Sequence, residues 1–306
     1  MKTKSQPETV TRSSATITKG KLLGYTLVVA LSLIWGLAFV AIRRATFELS
    51  PVNLTIIRWL IASAGFLLLA PIFGRPKKPV RRQDVPRILL VSVASVMGYH
   101  LSLNYAESIV SSGLAGLLIS FGPIFAVLLS AVFLKERIET RLMLALASAV
   151  AGALVLSVNT RLDFGQITGP LAVILAAFMY GVFSVGSKPL VREYGALPTA
   201  IWVAVIGTVF TLPLISSSLT AQLSALSPVG WFSVIYLAVL STVVANMMLF
   251  TLIRDRAVSR LSVQLYLVPL ASLVGGVLLL GESVSILTVF GALLLFVGIA
   301  LATHRQ

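Results

Sequence analysis

Residues 123–136 read PIFAVLLSAVFLKE and residues 269–282 read PLASLVGGVLLLGE, with the same proline and the same glutamate at the two ends. The likeness extends outward in outline, from residues 105–158 to residues 251–304, always at a separation of 146 positions. The chain therefore contains two copies of one unit. A duplicated apolar unit is typical of membrane transporters, because two similar halves can rock about a site between them.

The composition indicates that the solvent of this chain is lipid. Hydrophobic residues make up 58% of the 306 residues and charged residues 11%, whereas soluble chains carry about 25% charged residues. The charges cluster, and the uncharged stretches between them reach the roughly 20 residues that a helix needs to cross a bilayer. Because lipid offers no partner to backbone polar groups, these stretches must be helices. The ten predicted spans are 22–44, 52–73, 86–106, 109–134, 139–158, 167–189, 197–216, 228–253, 257–280 and 284–303.

The distribution of the positive charges, which give the chain a net charge of +14, indicates the membrane topology. With the N-terminus inside, 20 of the 24 Lys and Arg residues fall on inner segments, which is the positive-inside pattern. Both termini are therefore expected in the cytoplasm, and nucleic acid is excluded as a partner. The predicted units are a cytoplasmic tail (1–21), a first repeat (22–160) and a second repeat (161–306).

The two repeats are predicted to be inverted. Each holds five spans, and an odd number makes the second copy enter the membrane from the opposite side. The matched residues Glu136 and Glu282 are accordingly expected at an inner and an outer loop. The fold class is an all-α integral membrane protein with ten transmembrane helices in two inverted five-helix repeats.

Three features carry a family resemblance: a Trp-Gly pair at 35–36, Arg58 in the second span, and the duplicated motif of residues 123–136 and 269–282. Together they resemble the drug/metabolite transporter superfamily, specifically its EamA-type ten-helix exporters, and among these most of all the aromatic amino acid exporters. The resemblance covers about residues 22–303. It implies export of amino acids and other metabolites by alternating access across the bacterial inner membrane.

A substrate site is expected near mid-membrane between the halves. The third span is rich in polar and aromatic side chains, with Tyr99, His100 and Asn104 as candidate substrate-binding residues. His100 is the single histidine within a span, and an ionisable group in lipid should face protein or water. It either serves the substrate, as a hydrogen-bonding or proton-carrying group, or is a neutral histidine bonded to a neighbouring helix.

Two aromatic residues occupy matched places in the first and sixth spans. Trp35-Gly36 corresponds to Tyr180-Gly181 at a separation of 145. Trp35 and Tyr180 either line a central cavity, where they can stack on a planar substrate or hold a cation, or they pack between helices whose glycines permit close approach.

Uncharged polar residues of the eighth and ninth spans complete the candidate site. Asn246, Gln264 and Tyr266 suit a zwitterion, because amides and hydroxyls bind its ammonium and carboxylate groups without a fixed buried charge. The partners predicted are therefore a small-molecule substrate, an amino acid or related metabolite, and the lipid bilayer.

Pro123 and Pro269 lie within matched spans, and a proline removes one backbone hydrogen bond and kinks a helix. They are predicted as paired hinges, or as static kinks that shape the cavity.

Arg58 lies a few residues inside the outer end of the second span. It is predicted to snorkel outward or to pair with Glu107, and the alternative is that it binds a substrate carboxylate.

Several groups are missing from the sequence. No acidic residue lies at the centre of a span, so both proton coupling and passive transport stay open. Cysteine is absent, and neither a His-Glu-x-x-His motif nor a Gly-Lys phosphate loop occurs. No catalytic site, metal site or cofactor is therefore expected, and the chain is not predicted to be an enzyme.

The leading hypothesis is a secondary exporter of small amino-acid-like metabolites, with aromatic amino acids favoured. The alternatives are an exporter of drugs, organic cations or other metabolites, and, from another class, a membrane receptor or scaffold.

Overall fold

The computed structural model describes residues 8–73, 78–137, 167–258 and 267–283, with single positions or pairs at 140, 143–144, 147–148, 151, 261, 286, 290 and 293–294. Every regular element in these ranges is helical. The α-helices are α1 (Glu8–Ala45), α2 (Pro51–Phe73), α3 (Val85–Val93), α4 (Ser102–Ile109), α5 (Ser112–Leu118), α6 (Phe121–Phe133), α7 (Thr168–Tyr194), α8 (Ala196–Thr211), α9 (Ser218–Ser224), α10 (Pro228–Ile235), α11 (Ala245–Asp255) and α12 (Leu267–Leu280).

Two π-helical segments join α-helices into longer rods. Ala94–Leu101 connects α3 to α4, and Tyr236–Val244 connects α10 to α11. A π turn carries one more residue than an α turn and is enriched at functional sites. Both segments lie in the middle of a membrane-crossing rod, so each changes the direction of side chains at mid-membrane depth.

Seven helical stretches are long and apolar enough to cross a membrane, and α12 is a shorter apolar helix. The seven stretches are Gly24–Ala45, Pro51–Pro71, Arg82–Ile109, Ser112–Phe133, Thr168–Tyr194, Ala196–Leu214 and Pro228–Arg254. These helices match eight of the predicted spans. The predicted spans 139–158 and 284–303 fall almost entirely outside the described residues, so the count of ten stays a prediction.

One boundary differs clearly from its prediction. α1 begins at Glu8 rather than at residue 22, because no proline interrupts residues 8–45 and a helix extends cheaply once it is nucleated. The segment 216–222, which separates two spans, also contains the short helix α9.

Serine side chains begin several of the helices. Ser50 precedes Pro51, and its Oγ accepts a hydrogen bond from the Asn53 N–H at 3.2 Å. Ser227 precedes Pro228 and accepts from the Gly230 N–H at 3.1 Å. A serine N-cap followed by proline satisfies a free amide and presets the first helical φ, so these Ser-Pro pairs fix where α2 and α10 start.

Two matched glycines let helices of the two repeats interlock. Gly36 of α1 lies against α12, where an added Cβ would come within 3.1 Å of the Ala271 backbone carbon. Gly181 of α7 lies against α6, where an added Cβ would come within 3.1 Å of the Phe125 backbone carbon. Residues 125 and 271 are 146 apart, so each repeat packs a helix into the other repeat in the same way. The glycines therefore permit the close helix approach that the packing alternative for Trp35 and Tyr180 includes.

The outer surface of the bundle is apolar. Large hydrophobic side chains such as Leu68, Phe133 and Leu278 are more than two-thirds exposed. In water such a surface would favour aggregation, whereas in a bilayer it contacts acyl chains. The polar side chains therefore have to be accommodated inside, and this is where the candidate site lies.

Candidate functional site

A cavity lies between helices of the two repeats. Much of its lining comes in pairs of matched residues, separated by 145 or 146 positions. The four pairs are Trp35 with Tyr180, Ala38 with Phe183, Ser95 with Ser241, and His100 with Asn246. The cavity is thus lined largely by the same positions of both copies.

Aromatic rings form the wall between this cavity and a second chamber. Trp35 and Tyr180 meet edge to face at a centroid distance of 6.0 Å, and Tyr99 lies 6.0 Å from Tyr180. All three rings line both spaces, and the matched residues Pro123 and Pro269 line the second. The predicted aromatic pair and the predicted hinge pair therefore lie together. Faces and edges of such rings bind planar apolar groups.

His100 lies at the cavity with its ring fixed from several sides. Its Nδ1 is 2.8 Å from the carbonyl oxygen of Ser95, five residues earlier in the same π segment. Because a carbonyl only accepts, Nδ1 carries the proton, and Nε2 of a neutral ring is then an acceptor. The rings of Trp59 and Tyr99 pack edge-on at 4.9 and 4.7 Å. The partner of His100 is thus its own helix rather than a neighbouring one.

The second π segment contains two adjacent hydroxyl residues, Ser241 and Thr242. Thr242 Oγ1 donates to the Leu237 carbonyl at 2.8 Å, again five residues back. The Ser241 carbonyl oxygen accepts from Trp35 Nε1 at 3.1 Å. The widened turns expose carbonyl groups to side chains five residues later, and the bond from Trp35 holds the segment against α1.

Arg58 is buried at the cavity with 2% of its surface exposed. Its Nε donates to Thr242 Oγ1 at 2.9 Å and its Nη2 to Ser241 Oγ at 3.2 Å. The predicted pair with Glu107 does not form: both carboxylate oxygens of Glu107 are buried without a hydrogen-bond partner in the described part of the chain. The prediction was wrong because α2 turns the guanidinium toward the second π segment.

The remaining candidate residues are placed as follows. Asn246 lines the cavity. Asn104 is fully buried away from it, and its Nδ2 donates to Thr55 Oγ1 at 2.9 Å, which ties α4 to α2. Gln264 and Tyr266 lie outside the described residues.

Sequence reasoning missed Ser95, Ser241 and Thr242, because small hydroxyl residues are common packing residues in membrane helices. A usable signal was present. Adding the repeat separation of 146 to His100 gives Asn246, and adding it to Ser95 gives Ser241. Polar residues at matched mid-span positions of both copies are good candidates for a shared cavity.

Known proteins resemble this chain along most of its length. The EamA-like transporter family matches it twice, over residues 22–158 and 167–303. A probable terminal-alkyne amino-acid exporter of Streptantibioticus cattleyicolor is 32% identical over 89% of this chain and 90% of that protein. An uncharacterized transporter of Archaeoglobus fulgidus is 30% identical over 89% of this chain and 95% of that protein. A solved crystal structure shares the fold at a TM-score of 0.69 and 20% identity, over 92% of this chain and 96% of that one.

Proposed function

Because this chain belongs to the EamA-like transporter family and is a multi-pass membrane protein, we propose that it exports small amino-acid-like metabolites, aromatic amino acids above all. The solute occupies the cavity between the repeats and crosses the membrane by alternating access. Trp35, Tyr99 and Tyr180 contact its side chain, and His100 and Asn246 form hydrogen bonds with its polar groups.

The observation that carries this proposal is the matched lining of the cavity. A site shared by equivalent positions of two repeats lies where relative motion of the repeats opens one side and closes the other. The aromatic rings favour a planar apolar side chain, and the amide, imidazole and hydroxyl groups favour a polar head. The amino-acid exporter name of the Streptantibioticus relative supports the same class of solute.

The proposal includes ten helices in two inverted repeats with both termini in the cytoplasm. The interlocking of α1 with α12 and of α7 with α6, through Gly36 and Gly181, supports this arrangement. Pro123 and Pro269 serve as hinges, since they are matched residues within helices and both line the second chamber.

The proposal is tested with purified protein in liposomes. Vesicles loaded with unlabelled L-phenylalanine should accumulate labelled L-phenylalanine faster than protein-free vesicles. Trp35→Ala and His100→Ala should reduce this counterflow, while Ile235→Ala, on the half-exposed outer surface, should not. If no amino acid moves faster than in empty vesicles, the function is wrong. Movement of organic cations or drugs alone would favour the alternative exporter, and no movement of any solute would favour a receptor or scaffold.

A further inference from the structure

The Arg58 guanidinium lacks one hydrogen-bond partner that its environment should supply. Thr242 and Ser241 occupy Nε and Nη2, whereas Nη1 is buried and has no partner among the described residues. A buried N–H without an acceptor is costly, and more so on a charged group. A polar group of this kind at a cavity wall indicates a ligand that completes it.

The charge of Arg58 also lacks an ion-pair partner within 4.0 Å among the described residues. Hydroxyl groups orient a guanidinium but do not neutralise it. Glu107 is the acidic residue that the sequence predicts as the partner of Arg58. Neither of its carboxylate oxygens has a hydrogen bond among the described residues. An uncompensated cation inside a membrane span is expensive and marks a functional site.

We propose that Arg58 is the anchor for a carboxylate on the transported solute, so that the substrate class is organic acids and zwitterions rather than organic cations. This inference rests on the proposed function. Ser241 and Thr242 orient the guanidinium group so that Nη1 can donate a hydrogen bond to an oxygen of the ligand. A charge-assisted bond from arginine to carboxylate is short and directional, which suits recognition of one end of a small molecule.

The rest of the cavity fits a solute that is anchored in this way. Asn246 lies on the same rod as Ser241 and Thr242, slightly more than one helical turn further along, and lines the same space. The rings of Trp35, Tyr99 and Tyr180 form another part of the wall. The arrangement thus offers a cationic contact for the acid group and aromatic surfaces for an apolar side chain. A solute that carries only an ammonium group meets the uncompensated charge of Arg58 and is repelled.

Competition against labelled L-phenylalanine counterflow tests the anchor without any mutation. The competitors are 3-phenylpropionate, which keeps the carboxylate, and 2-phenylethylamine and L-phenylalanine methyl ester, which lack it. We expect 3-phenylpropionate to inhibit the wild-type protein at least about tenfold more strongly than the amine or the ester, the range of a lost hydrogen bond to a charged group. Equal inhibition by all three would overturn the anchor and leave transport intact.

Variants of Arg58 provide a second test of the anchor. Arg58→Gln should reduce counterflow about tenfold or more and remove the preference for the carboxylate. Arg58→Lys keeps the charge but loses the fork, so it should retain the preference at weaker affinity. Arg87→Gln, at a position whose side chain is 47% exposed, is the matched control and should behave as wild type. A folded Arg58→Gln protein that still prefers the carboxylate contradicts the inference. If no amino acid moves in the wild-type protein, the proposed function fails first, and the anchor fails with it.

Discussion

Glu136 and Glu282 occupy matched positions, and each accepts a backbone hydrogen bond from a matched position in the opposite repeat. Glu282 Oε1 accepts from the Ser112 N–H at 2.8 Å, and Glu136 Oε1 accepts from the Val258 N–H at 3.2 Å. Ser112 and Val258 are themselves 146 residues apart. A carboxylate at the first amides of a helix is stabilised by their partial positive charge. The two repeats are thus joined by reciprocal contacts.

These two glutamates lie at opposite ends of one membrane-crossing stretch. Glu282 binds the start of Ser112–Phe133, and Glu136 follows its end. A helix of 22 residues is about 33 Å long, which is close to the thickness of the hydrocarbon core. Two inverted repeats require matched residues to lie on opposite faces of the membrane. Accessibility labelling at Glu136 and at Glu282 would test this in the membrane.

The ion pair of Glu136 with Lys188 should stabilise the fold strongly. The Lys188 Nζ lies 2.6 Å from Glu136 Oε1, and the two side chains are 7% and 12% exposed. Because breaking a buried pair leaves one charge uncompensated, Glu136→Gln should lower the free energy of unfolding by about 3 kcal/mol. The double variant Glu136→Gln, Lys188→Met should recover part of this loss. Chemical denaturation of the purified protein measures both.

The exposed ion pairs of Glu193 provide the control for the Glu136 and Lys188 variants. Glu193 pairs with Lys78 and Arg81, whose side chains are more than half exposed. Glu193→Gln should change stability by less than about 1 kcal/mol. Equal losses at Glu136 and Glu193 would show that burial does not strengthen the first pair.

The residue before each matched glutamate adopts a left-handed backbone, with φ of 53° at Lys135 and 67° at Gly281. A side chain there costs about 1 kcal/mol. Gly281→Ala should therefore destabilise the protein by about this amount, although an added Cβ meets nothing within 4 Å. Lys135→Gly should stabilise it by somewhat less, since glycine also gains freedom in the unfolded state.

Lys135→Ala is the matched variant, because it removes the long side chain and keeps the Cβ. Thermal unfolding should place Lys135→Ala near the wild type and Lys135→Gly above it. A gain in Lys135→Ala as large as that in Lys135→Gly would assign the effect to the lysine charge instead.

The paired prolines should control the rate of transport more than the affinity. Pro123→Ala restores a backbone N–H near the start of α6 and should stiffen the break between α5 and α6. Pro269→Ala restores the matched N–H in α12. Counterflow should fall several-fold while the half-saturating substrate concentration stays within about twofold, as expected when a conformational step limits turnover. Pro71→Ala, near the end of α2 and away from the cavity, is the control. Unchanged rates in both variants would make the prolines static kinks.

Glu48 should give the protein an acid-sensitive contact. Its carboxylate accepts from the Ser227 N–H at 2.7 Å and the Ser227 hydroxyl at 2.8 Å and pairs with Arg44, and these bonds hold the pKa of Glu48 below its usual value. With a lowered folded pKa, the stabilisation is complete above the unfolded value of about 4.3 and is lost as the pH falls through the folded pKa.

Thermal unfolding of the wild type and Glu48→Gln across this range measures the effect. The wild type should be the more stable protein near neutral pH, and the difference should shrink as the pH falls. Ser227→Ala, which removes one donor, should move that loss to higher pH. A difference that stays constant from about pH 6 to about pH 3 would exclude the linkage.

The fold was largely predictable because lipid allows a long apolar segment so few structures. Charge-free stretches near the length of a bilayer crossing had to be helices, and the helices from Gly24 to Leu280 lie where hydropathy put them. Trp35, Tyr99, His100, Tyr180 and Asn246 converge on one cavity for a related reason: a polar or large aromatic group in mid-span faces protein. The convergence of these five residues does not itself test that they bind substrate.

The partner of Arg58 was not predictable in the same way. Span boundaries place Arg58 and Glu107 near one end of neighbouring helices, but the π segment Tyr236–Val244 brings Ser241 and Thr242 to the guanidinium instead. Hydrophobic periodicity does not distinguish a π turn from an α turn in a uniformly apolar helix. Asn104 shows the same limit, because its bond to Thr55 depends on helix rotation rather than on depth.

Arg58 has no counterpart in the other half of the molecule. The separations of 145 and 146 map it onto Val203 or Ala204, both of which are buried and uncharged. A cavity with two equivalent ends would bind a dipolar solute equally well in either of two opposite orientations. If Arg58 anchors the carboxylate as proposed, a single guanidinium removes that degeneracy, and the solute would keep one orientation in the cavity.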